Sequence, residues 1–160
     1  MSSFKSGDRV VYPHHGAAVI QRTETREHNG KKTKYFVLQA VHDNLTVRVP
    51  VEMADEVGMR LPISQEDVED LFVLLGKRDV REPANWSRRF KNHQEKLRSG
   101  DVYQVAEVVR NLRLREKTKG LSAGEKTMYN KARKVLVSEL SFALNVSEED
   151  AMDQVEEQLV

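Results

Sequence analysis

The chain carries five histidines (His14, His15, His28, His42 and His93) and no cysteine. Without thiols there can be no disulfide, thiolate nucleophile or Cys-based zinc site, and the composition fits a reducing compartment. None of the histidines stands in an HExxH or other close metal spacing. The adjacent His14 and His15 would project in different directions from an extended chain, so they read as turn residues that hydrogen-bond locally. Phosphate-cradling glycine runs of the GxGxxG and GxxxxGK[ST] types are missing, as is a GxSxG serine. Adjacent acids such as Glu69-Asp70 and Glu148-Glu149-Asp150 fall on helix surfaces or first turns, where helix electrostatics explain them. No nucleophile, base and orienter come together, so neither an enzyme nor a cofactor is expected.

The stretch that could act on a partner is Glu82-Pro83-Ala84-Asn85-Trp86-Ser87-Arg88-Arg89-Phe90-Lys91, which holds the only tryptophan. Pro83 fixes its own φ and biases Glu82 away from the α region, so a helix should begin after it, capped by Asn85 or Ser87. Trp86 then stands at the start of a helix with Arg88, Arg89 and Lys91 close by. One reading is an aromatic wedge over nucleic acid, positioned by phosphate contacts. The other is a tryptophan that docks the helix on its own domain while the cations solvate the face. The local residues leave both open.

Charge is sorted along the chain although its net value is only +1. Residues 77–98 carry about +5 and residues 110–134 about +7, while 51–76 carry about −6 and 135–160 about −7. Two basic blocks between acidic ones point to patches that meet an acidic partner. No zinc finger is possible and no helix-turn-helix offers a base-reading set, so backbone and groove contact is expected rather than a long read sequence.

The elements that must position these residues change character near the middle. Residues 9–50 read as short strands: Arg9–Tyr12, Ala17–Glu24, Thr33–Leu38 and Leu45–Pro50, with Asn29-Gly30 as a tight hairpin turn. In the last strand Leu45, Val47 and Val49 share one face, with Thr46 and Arg48 on the other. From Ile63 the period is helical. Ser64 caps a helix ended by Gly76, and a second runs over about 86–98 with Phe90 and Leu97 on one side. Asp101 with Gln104 opens a third, burying Val105, Ala106, Val109 and Leu112 and presenting Arg110, Arg113, Arg115, Lys117 and Lys119. Ser122 with Glu125 opens a fourth that presents Lys126, Lys131, Arg133 and Lys134. Ser147 starts a short acidic fifth. The prediction is an α+β chain: a small antiparallel Tudor/SH3-like β domain over 1–56, then a compact helical bundle over 57–160. No apolar run is long enough to span a membrane and no signal-peptide core opens the chain, so a cytoplasmic protein is expected.

Several blocks in order resemble the CarD/CdnL family of bacterial RNA-polymerase-binding transcription regulators. They are Gly7-Asp8-Arg9-Val10-Val11-Tyr12-Pro13-His14-His15-Gly16, Leu45–Pro50, the tryptophan stretch 82–91, Ser99-Gly100-Asp101, residues 105–110 and Gly120–Lys126. The first block alone is shared with a transcription-repair coupling factor, whose helicase motor this chain has no room for. The resemblance implies a Tudor-like domain that binds the polymerase β subunit, partly by pairing sheet edges, through Arg26 and Arg48. It implies a helical domain that meets promoter DNA at the upstream edge of the bubble. There Trp86 would wedge into the minor groove near the −10 element, beside Arg88, Arg89 and Lys91, with Arg115 and Lys126 further out. It also implies a monomer that stabilises the open promoter complex, including at ribosomal RNA promoters. Phe90 stands where a tyrosine is often found. Two rival functions remain: a DNA-binding protein independent of polymerase, and a protein–protein adaptor in which Trp86 is structural.

Overall fold

The structure is a computed structural model that describes residues 4–13 and 15–159; His14 of the expected turn pair lies outside them. The apolar alternation of the N-terminal third folds as β1 (Arg9–Tyr12), β2 (Gly16–His28), β3 (Lys31–Ala40) and β4 (Thr46–Pro50). They pair antiparallel in the order β1-β2-β3-β4. Asn29 (φ 52°) and Gly30 (φ 79°) both take the left-handed conformation that a tight hairpin between β2 and β3 requires. A register shift between Ile20 and Arg22 bulges β2, which lets the sheet bend around Val10, Ile20, Phe36, Leu38 and Val49. Leu45, expected in the last strand on the same face as Val47 and Val49, instead precedes β4 and is 50% exposed.

After a 3-10 turn at Val51–Met53 the chain returns to the sheet, where Arg60 pairs with Val11 of β1. Beyond residue 56, where the sheet domain was expected to end, Val57 still packs against the sheet core. Met59 packs in the sheet core and Arg60 closes the β1 edge. Among the described residues β4 is left as an uncovered edge of the sheet, as is the outer half of β2 beyond β1.

Five helices follow: α1 (Gln65–Leu75), α2 (Trp86–Arg98), α3 (Val102–Thr118), α4 (Ala123–Leu144) and α5 (Glu148–Gln158). Each begins at a polar cap, Ser64, Asn85, Asp101, Ser122 or Ser147, whose side chain accepts from a backbone N–H of the first turn. The capping box at Ser122 and Glu125 is complete. At Asp101 the box is not: Gln104 donates to the Asp101 carboxylate instead of accepting from its backbone. One apolar face of each helix meets the others in a single core around Leu71, Val109, Leu112, Leu136, Leu140 and Val155.

Sheet and bundle join along α4. Gly16 (φ 73°) approaches the helix so closely that a Cβ there would stand 2.7 Å from Ser138 Oγ. That hydroxyl donates to Val135 O at 2.7 Å and accepts from Ala17 N at 3.0 Å. Beside it Arg60 grips Glu139 with two hydrogen bonds, 2.7 and 2.8 Å long. The Glu139 side chain is only 2% exposed and also accepts from Ile63 N, while Arg60 Nε donates to Gly100 O.

Candidate functional site

Asn85 accepts from Arg88 N, so Trp86 becomes the first residue of α2. Its ring stacks on Phe90, one turn on, with centroids 4.8 Å apart and 16° between planes. Phe90 has room there because residue 124 is glycine: a Cβ on Gly124 would stand 3.4 Å from the Phe90 ring. The indole Nε1 donates to Ser122 Oγ, the cap of α4, at 3.3 Å. Even so, Trp86 is 45% exposed. Docking and exposure thus coexist: one edge is held by α4, one face lies on Phe90, and the remainder faces solvent.

The surrounding cations divide. Arg88, Lys91 and Lys126 are exposed, as expected. Arg89 is not, which corrects its expected place on the outward basic face. It is 1% exposed, with Nε 3.4 Å from Glu125 Oε2 and Nη1 donating weakly to the carbonyls of Pro83 and Ala84. The reason is helical spacing. Arg89, His93 and Leu97 recur at four-residue steps and form the inward stripe of α2. A charge can occupy that stripe because Glu125 arrives from α4.

Arg115 is partly buried, with Nε 3.8 Å from the same Glu125 oxygen and no hydrogen-bond partner. Arg110 and Arg113, expected on the outer surface of α3, also turn inward. Arg110 is 7% exposed and donates to Asn111 Oδ1 and Leu74 O. Arg113 donates to Glu156 and to Tyr129 Oη.

Two acids, the buried Glu125 and the half-buried Glu82, hold the base of the tryptophan. Burial pushes Glu125 up, but hydrogen bonds from Ser122 N and Oγ and the Arg89 guanidinium outweigh it, so its carboxyl ends below the ordinary value. Glu82 behaves alike: burial is outweighed by His93 and by the fields of Arg89 and Arg115. His93 Nε2 donates to Glu82 Oε2 at 2.6 Å, tying the segment ahead of Trp86 back onto α2. Sequence reasoning passed over both roles. The Ser122–Glu125 spacing signalled a cap, but not that the same carboxylate would neutralise two arginines from other elements.

On the sheet, Arg26 and Arg48 are brought together. Arg48 Nε donates to Glu24 Oε2 at 3.0 Å, with Arg26 3.8 Å from the same oxygen and Arg22 3.7 Å from the other. The Arg48 hydrogen bond, chiefly, holds Glu24 below the usual carboxylate range. Three exposed arginines around one acid leave an excess of positive charge next to the open β4 edge. Trp86 and Arg48 therefore belong to different units.

Residues 4–63 match the CarD-like/TRCF RID domain and residues 70–156 match CarD, C-terminal domain. The candidate transcription factor YdeB of Bacillus subtilis (strain 168) is 30% identical over 145 residues, covering 91% of this chain and 95% of that protein. With both units matched in order, the chain belongs to the CarD family of transcription regulators.

Proposed function

We propose that the chain binds the β subunit of RNA polymerase through its sheet unit and promoter DNA through Trp86, and thereby stabilises the open promoter complex, ribosomal RNA promoters included. The observation that carries this reading is the stacked, half-exposed Trp86 at a helix start flanked by exposed Arg88, Lys91 and Lys126. An aromatic plane held edge-out is suited to partial insertion at an unstacked step of the minor groove near the −10 element. Promoter opening is an equilibrium, and a factor shifts it only by binding the open form better than the closed one. Arg88, Lys91, Lys126 and the less exposed Arg115 supply phosphate contacts that give proximity without reading sequence. Arg89 acts through position instead: paired with Glu125, it fixes the first turn of α2. Arg26, Arg48 and the free β4 edge provide charge and unpaired backbone groups for the polymerase. Anchoring there raises the local concentration of Trp86 at the bubble, so one monomer with weak DNA affinity suffices.

The test is open-complex lifetime on a ribosomal RNA promoter with purified polymerase. Wild type is expected to lengthen it, and Trp86→Ala to lose that effect while remaining bound to polymerase. Equal lifetimes with wild type and variant would overturn the role of Trp86.

A further inference from the structure

Beyond Trp86, the surface of α4 leads to a second polar site at the seam with the sheet. A cleft of about 510 Å³ opens there between the β3–β4 turn and the outer face of α4. His42 and Asp43 line one side, and Asn130, Lys131 and Lys134 the other. The His42 side chain is 10% exposed, and its Nε2 is buried without a hydrogen-bond partner among the described residues, 3.8 Å from Asp43 Oδ2. Asp43 is already engaged, its Oδ1 accepting from Leu45 N. Lys131 and Lys134 outnumber the single carboxylate of Asp43 in the cleft, a balance that suits an oxyanion.

Geometry connects this cleft to the tryptophan. Trp86 is fixed at Ser122, the cap of α4, and Lys134 lies twelve residues further along, roughly 18 Å by helix rise. Lys126, Asn130 and Lys134 recur at four-residue steps on one side of α4. Lys131 borders both this cleft and the hollow beneath Phe90, so the polar track is continuous. A duplex rises about 3.4 Å per base pair along its axis, so with that axis along α4 the track spans roughly five base pairs.

We propose that the cleft takes a backbone phosphate of the same promoter duplex, about five base pairs from the step that Trp86 enters, so that the sheet unit touches DNA as well as polymerase. Lys131 and Lys134 supply the charge from α4, and His42 and Asp43 frame the sheet side of the cleft. This inference rests on the DNA reading of Trp86 and extends it.

Because the native chain has no cysteine, Ser87→Cys and Asn130→Cys each give one attachment point for an iron chelate that cleaves nearby DNA. Both positions are exposed. In the polymerase–promoter complex, cleavage from position 130 is expected about five base pairs away from cleavage from position 87. In the same complex, Lys131→Gln with Lys134→Gln should abolish the protection of the deoxyribose beside that phosphate from hydroxyl radical while leaving cleavage from position 87 in place. Cleavage from 87 but not from 130, or unchanged protection in the double variant, overturns the second contact and leaves the wedge standing. Cleavage from neither position overturns both.

Discussion

Arg89 and Glu125 are both withdrawn from water, and each supplies the buried counter-charge of the other. Breaking a buried pair strands a charge, which costs about 3 kcal/mol or more. Glu125→Gln is therefore expected to lower stability by about 3 kcal/mol in denaturant unfolding at neutral pH, although it keeps the shape of the side chain. The pH dependence follows from the direction of the shifts. Glu82 and Glu125 both ionise below their ordinary value of 4.5 in the folded protein. Their contribution is fully present above that value and disappears as pH falls through the lower folded values. Thermal melting should hold steady near neutrality and fall on acidification below about pH 4.5, less steeply in Glu125→Gln; identical acid limbs would remove Glu125 from this account. Local sequence left docking and exposure of Trp86 open, and the structure has both. Burial of Arg89 was not legible, because its counter-ion comes from 36 residues further along the chain.

Among elements, the caps read most clearly. Ser64, Asn85, Ser122 and Ser147 each begin a helix where a short polar side chain precedes an apolar period. The hairpin strands were foreseen but run longer than their apolar residues suggested. Residues 22–28 of β2 are almost wholly exposed, yet they pair with β3 down to His28 and Lys31. Ladder hydrogen bonds, not a buried face, hold that outer half, so periodicity could not mark it. The β4 edge carries the prediction proper to this scale. Arg48 stands in solvent, where screening leaves its pairing with Glu24 little weight in stability. Arg48→Glu should keep the wild-type circular dichroism and melting curve yet lose at least about tenfold in affinity for the β subunit, roughly 1.4 kcal/mol. Wild-type retention in a pull-down would move the polymerase contact elsewhere.

For the molecule as a whole, what matters is how the two units are held to each other. Sequence could not supply this, since the seam is made by partners such as Ala17 and Ser138, 121 positions apart. It is a built joint: Glu139, nearly inaccessible, accepts from Arg60 twice and from Ile63 once. Glu139→Gln leaves Arg60 with a neutral partner and weakens its grip. The expected result is a larger radius of gyration in small-angle scattering, with both units still folded. Each unit would keep its own contact, but a looser joint lowers the effective concentration of one site near the other. The gain in open-complex lifetime should fall several-fold while binding to polymerase stays unchanged. An unchanged scattering profile would show that the Gly16–Ser138 approach is enough to set the angle.

The placement of the only tryptophan has an optical consequence. Trp86 belongs to neither hydrophobic core and stands half in water against Phe90. Its emission, excited where tyrosine does not absorb, reports on one site. The colour and intensity of that light should respond to a base sliding against the indole and stay nearly blind to melting of the sheet. The native chain thus carries its own unlabelled probe at the point where it is expected to meet DNA.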